Sequence, residues 1–496
     1  MAMKLEDLVP LRWPSGPLEI ARREKSEGFD AQSRQTLARW HDPAALEFLK
    51  NTAVDAIVIS WAAGLAADAE QQRTAGALIE EARRRNLAVI GWVEGTADPN
   101  AAIAAAKSAG LAAVAIRGWH GSLDFPVIAW SAREDVPWDS TAPVVAIGGN
   151  VWPGVNIASG GGAASAGPTG VPWLDSNGWY IQMARARLKP PLWLTFDPPG
   201  KGEVVLPRSY VKAICDSEAA GGRWLISLDD HLRAGLASAA PAALEGWQQI
   251  AAAARFFQAH ADWKTYRSLG LVGVIADFAG EDSGLTDEIL NLMSRRDLLF
   301  RAIWKSQAME QPFTGLKALI YADSALPDSG LRRKITDFVE WGGLLITGPA
   351  WGKEGQPAPL DFETQFDVRA LGKGRLALAR KAIDDPYELA VDTQLLLSFR
   401  NDLVKIYNGA SSGCTRYTAS PDGGTALLEC LSYADNARAQ GLRTIWVREK
   451  YKSARLWTIG AEPSLLEGQP SDEYVGVEYH LPANAPQVYV ALEFES

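Results

Sequence analysis

Eight short apolar runs, separated by helical or loop stretches, constrain the fold of this chain more than any other feature. They cover residues 9–13, 56–61, 88–93, 112–117, 126–130, 144–148, 192–196 and 223–228. Helix-like stretches lie between several of them, for example at residues 70–86 and 99–109. Continuous apolar runs that alternate with helices indicate parallel strands covered on both faces. Eight such units within about 260 residues predict a (β/α)8 TIM barrel.

A doubly wound open sheet is the alternative for this first region. Such a sheet usually carries a G-x-G-x-x-G turn after its first strand. No such turn follows Trp13, so the barrel is the favoured interpretation.

The remaining sequence predicts two further domains. A second α/β pattern begins with a strand at 270–278 and continues with a helix at 287–295, a strand at 315–321, a helix at 331–341 and a strand at 343–347. Alternating runs at 444–447, 454–459, 475–480 and 487–494 then indicate an antiparallel β domain. We therefore predict a barrel at residues 1–265, a flavodoxin-like or amidotransferase-like α/β domain at 266–380 and a β-rich domain at 381–496.

This order of domains resembles the glycoside hydrolase family of the bacterial β-galactosidases that carry a trimerisation domain. The segment from Phe338 to Gly348, with Gly372 to Leu376, resembles their class I glutamine-amidotransferase-like domain. The resemblance implies a carbohydrate substrate and a homo-oligomer formed through the middle domain. Amidotransferases need a nucleophilic cysteine, and no cysteine lies between Cys215 and Cys414. The middle domain is therefore expected to serve packing or assembly.

Composition and charge exclude several other classes of protein. The net charge of −10 disfavours a nucleic-acid partner, and no uncharged apolar segment reaches the ~18 residues of a membrane span. Cys414 and Cys430 either pair or remain buried thiols. The sparse histidines and cysteines lack metal-ligand spacing, so we expect no metal and no cofactor. The first residues contain no signal-peptide segment, and both a cytoplasmic protein and an exported one with its signal removed fit the sequence.

The candidate site residues follow from the barrel, because active sites of such barrels lie at the carboxyl ends of the strands. Charged and aromatic side chains converge there from most of the predicted strands. The members of this rim are Trp61, Glu94, Arg117, Trp119, His120, Trp152, Asp197, Asp229 and Asp230. The chain has 19 tryptophans, whose flat rings with a polar edge suit the stacking of sugar rings. About half of them are expected to be core residues.

Glu94 and Asp197 form the leading catalytic pair. They end strands three and seven, which face each other in an eight-stranded barrel, and two opposed carboxylates are what glycosidic cleavage requires. Asp229 or Asp230 could replace Asp197. The alternative is a structural ion-pair network in which Arg117 or Arg133 neutralises these acids.

The long connection between strands six and seven is the second candidate region, since loops of more than ~15 residues are often functional. Its Gly-rich first part lacks the Lys-Ser/Thr ending of a phosphate-binding loop. Its second part predicts a lid or sugar platform, with Trp173 and Trp179 stacking and Asp175 and Asn177 binding hydroxyls. As an alternative, Asp175 is the N-cap of a helix at 178–188.

The sequence therefore predicts a glycoside hydrolase, and two alternatives stay open. One is a non-catalytic carbohydrate-binding or assembly protein. The other is a metal-dependent hydrolase that uses Asp229, Asp230, His231 and His120. The catalytic residues of the β-galactosidase family are not carried over, because that family has Asn-Glu after strand four and Glu after strand seven. Here these positions hold the segments 117–120 and 196–199, which are Arg-Gly-Trp-His and Phe-Asp-Pro-Pro.

Overall fold

A computed structural model describes most of the chain. The described residues are 4–25, 29–119, 121, 124–156, 158–160, 163–165, 173–195, 204–397, 403–407, 413–433, 442–448, 451–480 and 488–495. They form two compact units. The first comprises Met1–Pro153 and Leu188–Lys264, and the second comprises Gly154–Arg187 and Thr265–Ser496. The segment between strands six and seven thus belongs to the second unit, and the three-domain division stays a prediction.

Within the described residues, twelve strands precede residue 265, and eight of them form one parallel sheet. The strands are β1 (Pro10–Trp13), β2 (Ala56–Ala62), β3 (Ala88–Val93), β4 (Ala113–Arg117), β5 (Val127–Ala132), β6 (Val145–Gly148), β7 (Gly154–Asn156), β8 (Ala158–Gly160), β9 (Ala163–Ser165), β10 (Trp173–Asp175), β11 (Leu192–Leu194) and β12 (Arg223–Trp224). The sheet order is β1-β2-β3-β4-β5-β6-β11-β12. A parallel bridge between Leu11 and Ile226 joins its two edges. The predicted eight-stranded barrel is confirmed, and β3 lies four strands from β11.

The inward side chains explain why the barrel closes around a packed core. Ile90, Trp92 and Trp193 point inward together with Ala113, Ala115 and Ala146, and all are buried. Alanines on β4 and β6 leave room for the two indoles, which matches the layered filling of small barrels.

Helices connect the strands of the barrel. They are α1 (Gly16–Arg23), α2 (Ala31–His41), α3 (Asp68–Thr74), α4 (Gly76–Arg84), α5 (Pro99–Ala109), α7 (Pro207–Ala219), α8 (Asp230–Ala237) and α9 (Pro241–Ala259), while α6 (Gly178–Arg185) lies in the segment of the second unit. The helix predicted at 70–86 is two helices, α3 and α4, which meet at Ala75. Helix α5 shows the local signals well: Asp98 accepts a hydrogen bond from the Asn100 backbone N–H, and Gly110 ends the helix at φ 75°.

The second unit contains the predicted α/β sheet. Its strands are β14 (Val272–Ala276), β15 (Phe300–Trp304), β16 (Ala318–Tyr321), β17 (Leu344–Thr347), β18 (Gln356–Pro357), β19 (Phe366–Leu371) and β20 (Gly374–Ala379), and its helices are α10 (Ser283–Arg295), α11 (Ser329–Glu340) and α12 (Pro386–Leu397). The five parallel strands run β15-β14-β16-β17-β20, the 2-1-3-4-5 order of flavodoxin-like folds. Helix α6 packs on this sheet, where the Trp304 indole donates to the Met183 carbonyl at 2.9 Å.

The second unit also contains two larger antiparallel sheets, as predicted, beside the two-stranded pairs β7-β10 and β8-β9. One has the order β13-β22-β23-β29-β25-β26 and the other β21-β24-β28-β27. Their strands are β13 (Arg267–Ser268), β21 (Val404–Tyr407), β22 (Gly413–Ala419), β23 (Thr425–Ser432), β24 (Leu442–Val447), β25 (Ser453–Thr458), β26 (Ser464–Glu467), β27 (Gln469–Ser471), β28 (Tyr474–His480) and β29 (Tyr489–Glu495). Short 3-10 helices lie at Leu5–Asp7, Pro43–Leu49, Arg133–Asp135, Ala261–Thr265, Lys305–Gln307 and Pro349–Trp351.

The strand register decides between the two states considered for Cys414 and Cys430. Thr415 is paired with Cys430 and Leu431 with Cys414, so the two cysteines point to opposite faces of the sheet. Neither of them forms a disulfide bond, nor does Cys215.

Candidate active site at the barrel mouth

Glu94 follows β3 and is the best-connected candidate at the carboxyl ends of the barrel strands. The Trp92 indole N–H and the Arg22 guanidinium both donate hydrogen bonds to its carboxylate. Its side chain is 23% exposed, so solvent or a ligand reaches an acid that is already held in place. Asp197, the proposed partner after β11, lies outside the described residues, as does His120.

Arg22, on helix α1, links Glu94 to a second acid. One terminal nitrogen bonds to Glu94 and the other donates to Glu19 at 2.8 Å. Sequence reasoning missed both Glu19 and Arg22.

Glu19 is a buried, ionised residue at the centre of a charge network. It is 3% exposed, Ser60 donates a hydrogen bond to it, and Arg12 and Arg23 lie at 3.8 and 3.7 Å. Burial alone would raise the pKa of Glu19, but Arg12, Arg22, Ser60 and Arg23 together lower it below its ordinary value. The signal in the sequence was Arg12, a charge inside an apolar strand, which needs a buried acid as its partner.

Aromatic rings and arginines alternate along the mouth. Arg12 stacks on Trp92 at 4.6 Å, Trp92 meets Trp130 at 5.1 Å, and Arg117 lies over Trp130 at 5.2 Å. Arg117 is the exposed member, with 59% of its side chain accessible and a long, 4.0 Å ion pair to Asp135. The mouth therefore presents the half-exposed Trp130 ring and the exposed Arg117 cation, and the buried Trp92 connects this ring to the Glu94 carboxylate.

Asp229 and Asp230 follow β12 and have structural partners. Asp229 caps helix α8 by accepting from the Leu232 N–H at 2.9 Å, and it also accepts the Tyr210 hydroxyl. Burial and the neighbouring Asp229 raise the pKa of Tyr210. Asp230 is paired with Arg233 and Arg23; burial would raise its pKa, but the two arginines lower it. These contacts favour a structural role, and the catalytic role of Asp229 stays a prediction.

Of the tryptophans predicted at the rim, Trp61 and Trp152 pack against other parts of the barrel unit, whereas Trp119 is half-exposed. Trp61 is buried and donates to the Ala102 carbonyl of α5 at 2.9 Å, so it faces the helical layer while its neighbour Ser60 faces the barrel interior. Trp152 packs edge-on against Tyr210 and Trp224. Trp119 remains half-exposed and donates to the Gly121 carbonyl at 2.7 Å. A substrate contact through Trp61 is therefore not supported by its position.

The predicted lid residues Trp173, Asp175, Asn177 and Trp179 belong to the second compact unit. Asp175 ends β10, and the helix N-cap is the fully buried Asn177, whose side chain makes no capping bond. The N-cap role considered for Asp175 is therefore wrong. Trp179 is 7% exposed and packs against Tyr180, and the lid role of the four residues stays a prediction.

The described part of the chain has neither a metal-binding cluster nor a helix suited to cross a membrane. No three His, Cys, Asp or Glu side chains within it gather closely enough to hold a metal ion. Nor does any helix there have the length and apolar character that a membrane crossing requires.

Comparison with known proteins identifies relatives in fold alone. No protein-family model and no curated protein matches the sequence. Among solved structures, α-L-fucosidase isoenzyme 2 from Paenibacillus thiaminolyticus is similar with a TM-score of 0.59 and 10% identity over 99% of this chain and 100% of that one. A β-galactosidase from Bacillus circulans sp. alkalophilus has a TM-score of 0.54 at 9% identity, covering 95% and 98% of the two chains. A β-galactosidase from the haloarchaeon Halorubrum lacusprofundi has a TM-score of 0.52 at 10% identity, covering 96% and 99%. The resemblance to barrel glycosidases is thus confirmed at the level of the fold, and the amidotransferase-like character of the middle domain stays a prediction.

Proposed function

We propose that the protein is a glycoside hydrolase whose active site is the mouth of the barrel. The observation that carries the proposal is Glu94, a partly exposed carboxylate at a barrel strand end, held by two donors beside the Trp92 and Trp130 rings. The same fold occurs in a fucosidase and two β-galactosidases, which makes a glycoside the expected substrate. Fold alone does not define an activity, so the site residues bear the argument.

Glu94 and Asp197 are the proposed acid pair. β3 and β11 are four strands apart in the closed barrel, so residues that follow them start from opposite sides of the mouth. Hydrolysis needs one carboxyl group to protonate the leaving oxygen and a second to attack the sugar or activate water. Asp229 is less suited to either role, since both of its oxygens already accept hydrogen bonds.

Trp130 and Arg117 are the proposed substrate contacts. Trp130 is half-exposed and stacks edge-on with Trp92, while Arg117 extends over its ring. Sugar rings present apolar C–H faces and polar hydroxyl edges, which an indole face and a neighbouring guanidinium complement.

A non-catalytic carbohydrate-binding protein is the second candidate. The observation that favours it is the direct ion pair between Arg22 and Glu94, which resembles a structural network at the rim. In that case the aromatic mouth binds sugar and Glu94 orders it without breaking a bond.

The test is hydrolysis of p-nitrophenyl α-L-fucoside, p-nitrophenyl β-D-galactoside and a wider set of aryl glycosides by the full chain. Glu94→Gln and Asp197→Asn are expected to lower kcat by roughly 10²–10⁴-fold, the usual contribution of a general acid or base. Glu80→Gln is the matched control, because Glu80 is a 70% exposed acid of helix α4 without a proposed role. Binding of these glycosides without hydrolysis supports the second candidate, and full activity of Glu94→Gln overturns the proposed mechanism.

A further inference from the structure

Glu19 is too deeply buried to contact a substrate, although a single side chain, that of Arg22, connects it to Glu94 of the proposed site. Only 4% of its side chain is exposed, and its oxygens face Ser60 and three arginines. The arginines and the serine hold it as a carboxylate despite its burial. A buried carboxylate with this many donors is a fixed anchor.

Arg22 connects this anchor to the exposed acid. It is only 32% exposed, and its two terminal nitrogens bond to Glu19 and Glu94 in turn. The guanidinium group is planar and rigid, so fixing one of its edges on Glu19 also fixes the direction of the nitrogen that meets Glu94. Glu19 and Arg22 are one helical turn apart on α1, which keeps their spacing constant.

Glu94 needs such support because a glutamate has several rotatable bonds and stands at the end of a strand. The Trp92 N–H holds one carboxylate oxygen and Arg22 holds the other. A reacting carboxylate that is displaced by about 1 Å loses on the order of a hundredfold in rate. Support from neighbouring residues therefore decides whether the acid works.

We infer that Arg22, anchored by Glu19, is the positioning residue that fixes the Glu94 carboxylate for glycoside cleavage. The inference rests on the proposed function and extends it by giving a positioning role to Arg22 and Glu19, which do not contact the substrate. Substrate binding through the Trp130 ring and Arg117 does not depend on the contact between Arg22 and Glu94. Loss of this contact should therefore lower kcat and leave KM largely unchanged.

The experiment measures kcat and KM of Arg22→Ala on the aryl glycoside that the wild type cleaves fastest, with and without added guanidinium chloride. Arg22→Ala is expected to lower kcat by roughly a hundredfold with KM changed by less than about threefold. Millimolar guanidinium is expected to restore part of the kcat, because the free ion can occupy the space that the Arg22 side chain leaves between Glu19 and Glu94. Arg22→Lys keeps the charge but replaces the planar guanidinium with a compact ammonium on a flexible stem, so its kcat should lie between those of Arg22→Ala and the wild type.

Arg85 provides the matched control. It also bridges two acids, with hydrogen bonds of 2.7 Å to Glu81 and 2.9 Å to Glu47, but at α4 on the outside of the barrel. Arg85→Ala should keep the wild-type kcat, with no response to guanidinium.

The outcomes separate the inference from the proposed function. If the wild type cleaves a glycoside and Arg22→Lys and Arg22→Ala keep its kcat, the inference is overturned and the proposed function stands. A loss in Arg22→Ala that guanidinium does not relieve, while the folded fraction is unchanged, also overturns it. If the wild type cleaves no glycoside, the proposed function itself fails, and the inference fails with it.

Discussion

Polar residues follow the parallel strands of the barrel and those of the second sheet, but the two sets differ in exposure and in their partners. At the barrel mouth, Glu94 and Arg117 retain 23% and 59% of their side-chain exposure. At the corresponding edge of the second sheet, Asp323 is 4% exposed and accepts both the Asp277 backbone N–H at 3.0 Å and the Lys305 ammonium. One edge keeps polar groups available to a ligand, whereas at the other edge Asp323 is occupied within the chain.

The second edge contains further polar groups with internal partners. Asp282 accepts the backbone N–H and the hydroxyl of Ser324, each at 2.8 Å, and these bonds lower the pKa of Asp282. The Tyr321 hydroxyl donates to the Ala325 carbonyl at 2.7 Å. Position at the carboxyl end of parallel strands is therefore insufficient to identify a site. The exposure left after internal pairing is the better criterion.

The largest expected effect on stability is that of Glu19→Gln in the mouth. The change leaves Arg12, Arg22 and Arg23 without their shared buried acid, and removal of one partner from such a network typically costs about 3 kcal/mol. Urea denaturation measures the free energy of unfolding. A change below about 0.5 kcal/mol would show that the network contributes nothing to the fold.

The same acid predicts a pH dependence of stability. The folded-state pKa of Glu19 is lowered: burial raises it, but Arg12, Arg22, Ser60 and Arg23 outweigh burial. A lowered pKa contributes stability above the unfolded value of about 4.3, and this contribution is lost as the pH falls through the folded value. The difference in unfolding free energy between wild type and Glu19→Gln should therefore be full at pH 7 and shrink below about pH 4. A difference that grows in acid contradicts the assignment.

At the second sheet, Asp323→Ala should lower stability without affecting hydrolysis. The substitution leaves the Asp277 N–H and Lys305 without their acceptor, which costs about 2 kcal/mol. Thermal unfolding and glycoside hydrolysis are measured on the same sample. A loss of kcat at a temperature where the variant is folded would remove the contrast between the two edges.

Arg117→Ala should produce the smallest change in stability, within about 0.5 kcal/mol, because its 4.0 Å ion pair to Asp135 is long and exposed. Its kcat/KM should fall by about tenfold if it contacts the substrate, which corresponds to about 1.4 kcal/mol. Arg83→Ala, an exposed arginine near the end of α4, serves as the control. Equal kcat/KM values for both variants would exclude a role for Arg117 in binding.

The sequence predicted the barrel well because its signal is local and repeated. Each apolar run corresponds to a strand, with ends that differ mostly by one or two residues, as at residues 112–117 and β4 (Ala113–Arg117). The run at 223–228 shortens most, to β12 (Arg223–Trp224). Caps were equally informative, as with Asp98 and Gly110 around α5.

The site was only partly predictable, since side-chain partners come from distant positions. Glu94 was a candidate because it follows a predicted strand. Glu19 is separated from it by 75 positions and lies on helix α1, which no apolar run predicted. For Trp61 the sequence indicated only a place at a strand end: the side chains of a strand alternate, and Ser60 takes the inward position. Asn177, rather than Asp175, precedes α6 because the strand β10 extends through Asp175.

The most direct test compares Glu94→Gln with Asp323→Asn on the aryl glycoside that the wild type cleaves fastest. Both variants remove one charge at the carboxyl end of a parallel strand, one at the mouth and one at the second sheet. We predict that Glu94→Gln lowers kcat/KM by at least about a hundredfold and that Asp323→Asn stays close to the wild type. Wild-type activity in Glu94→Gln, or an equal loss in both variants, would contradict the assignment of the active site to the barrel mouth.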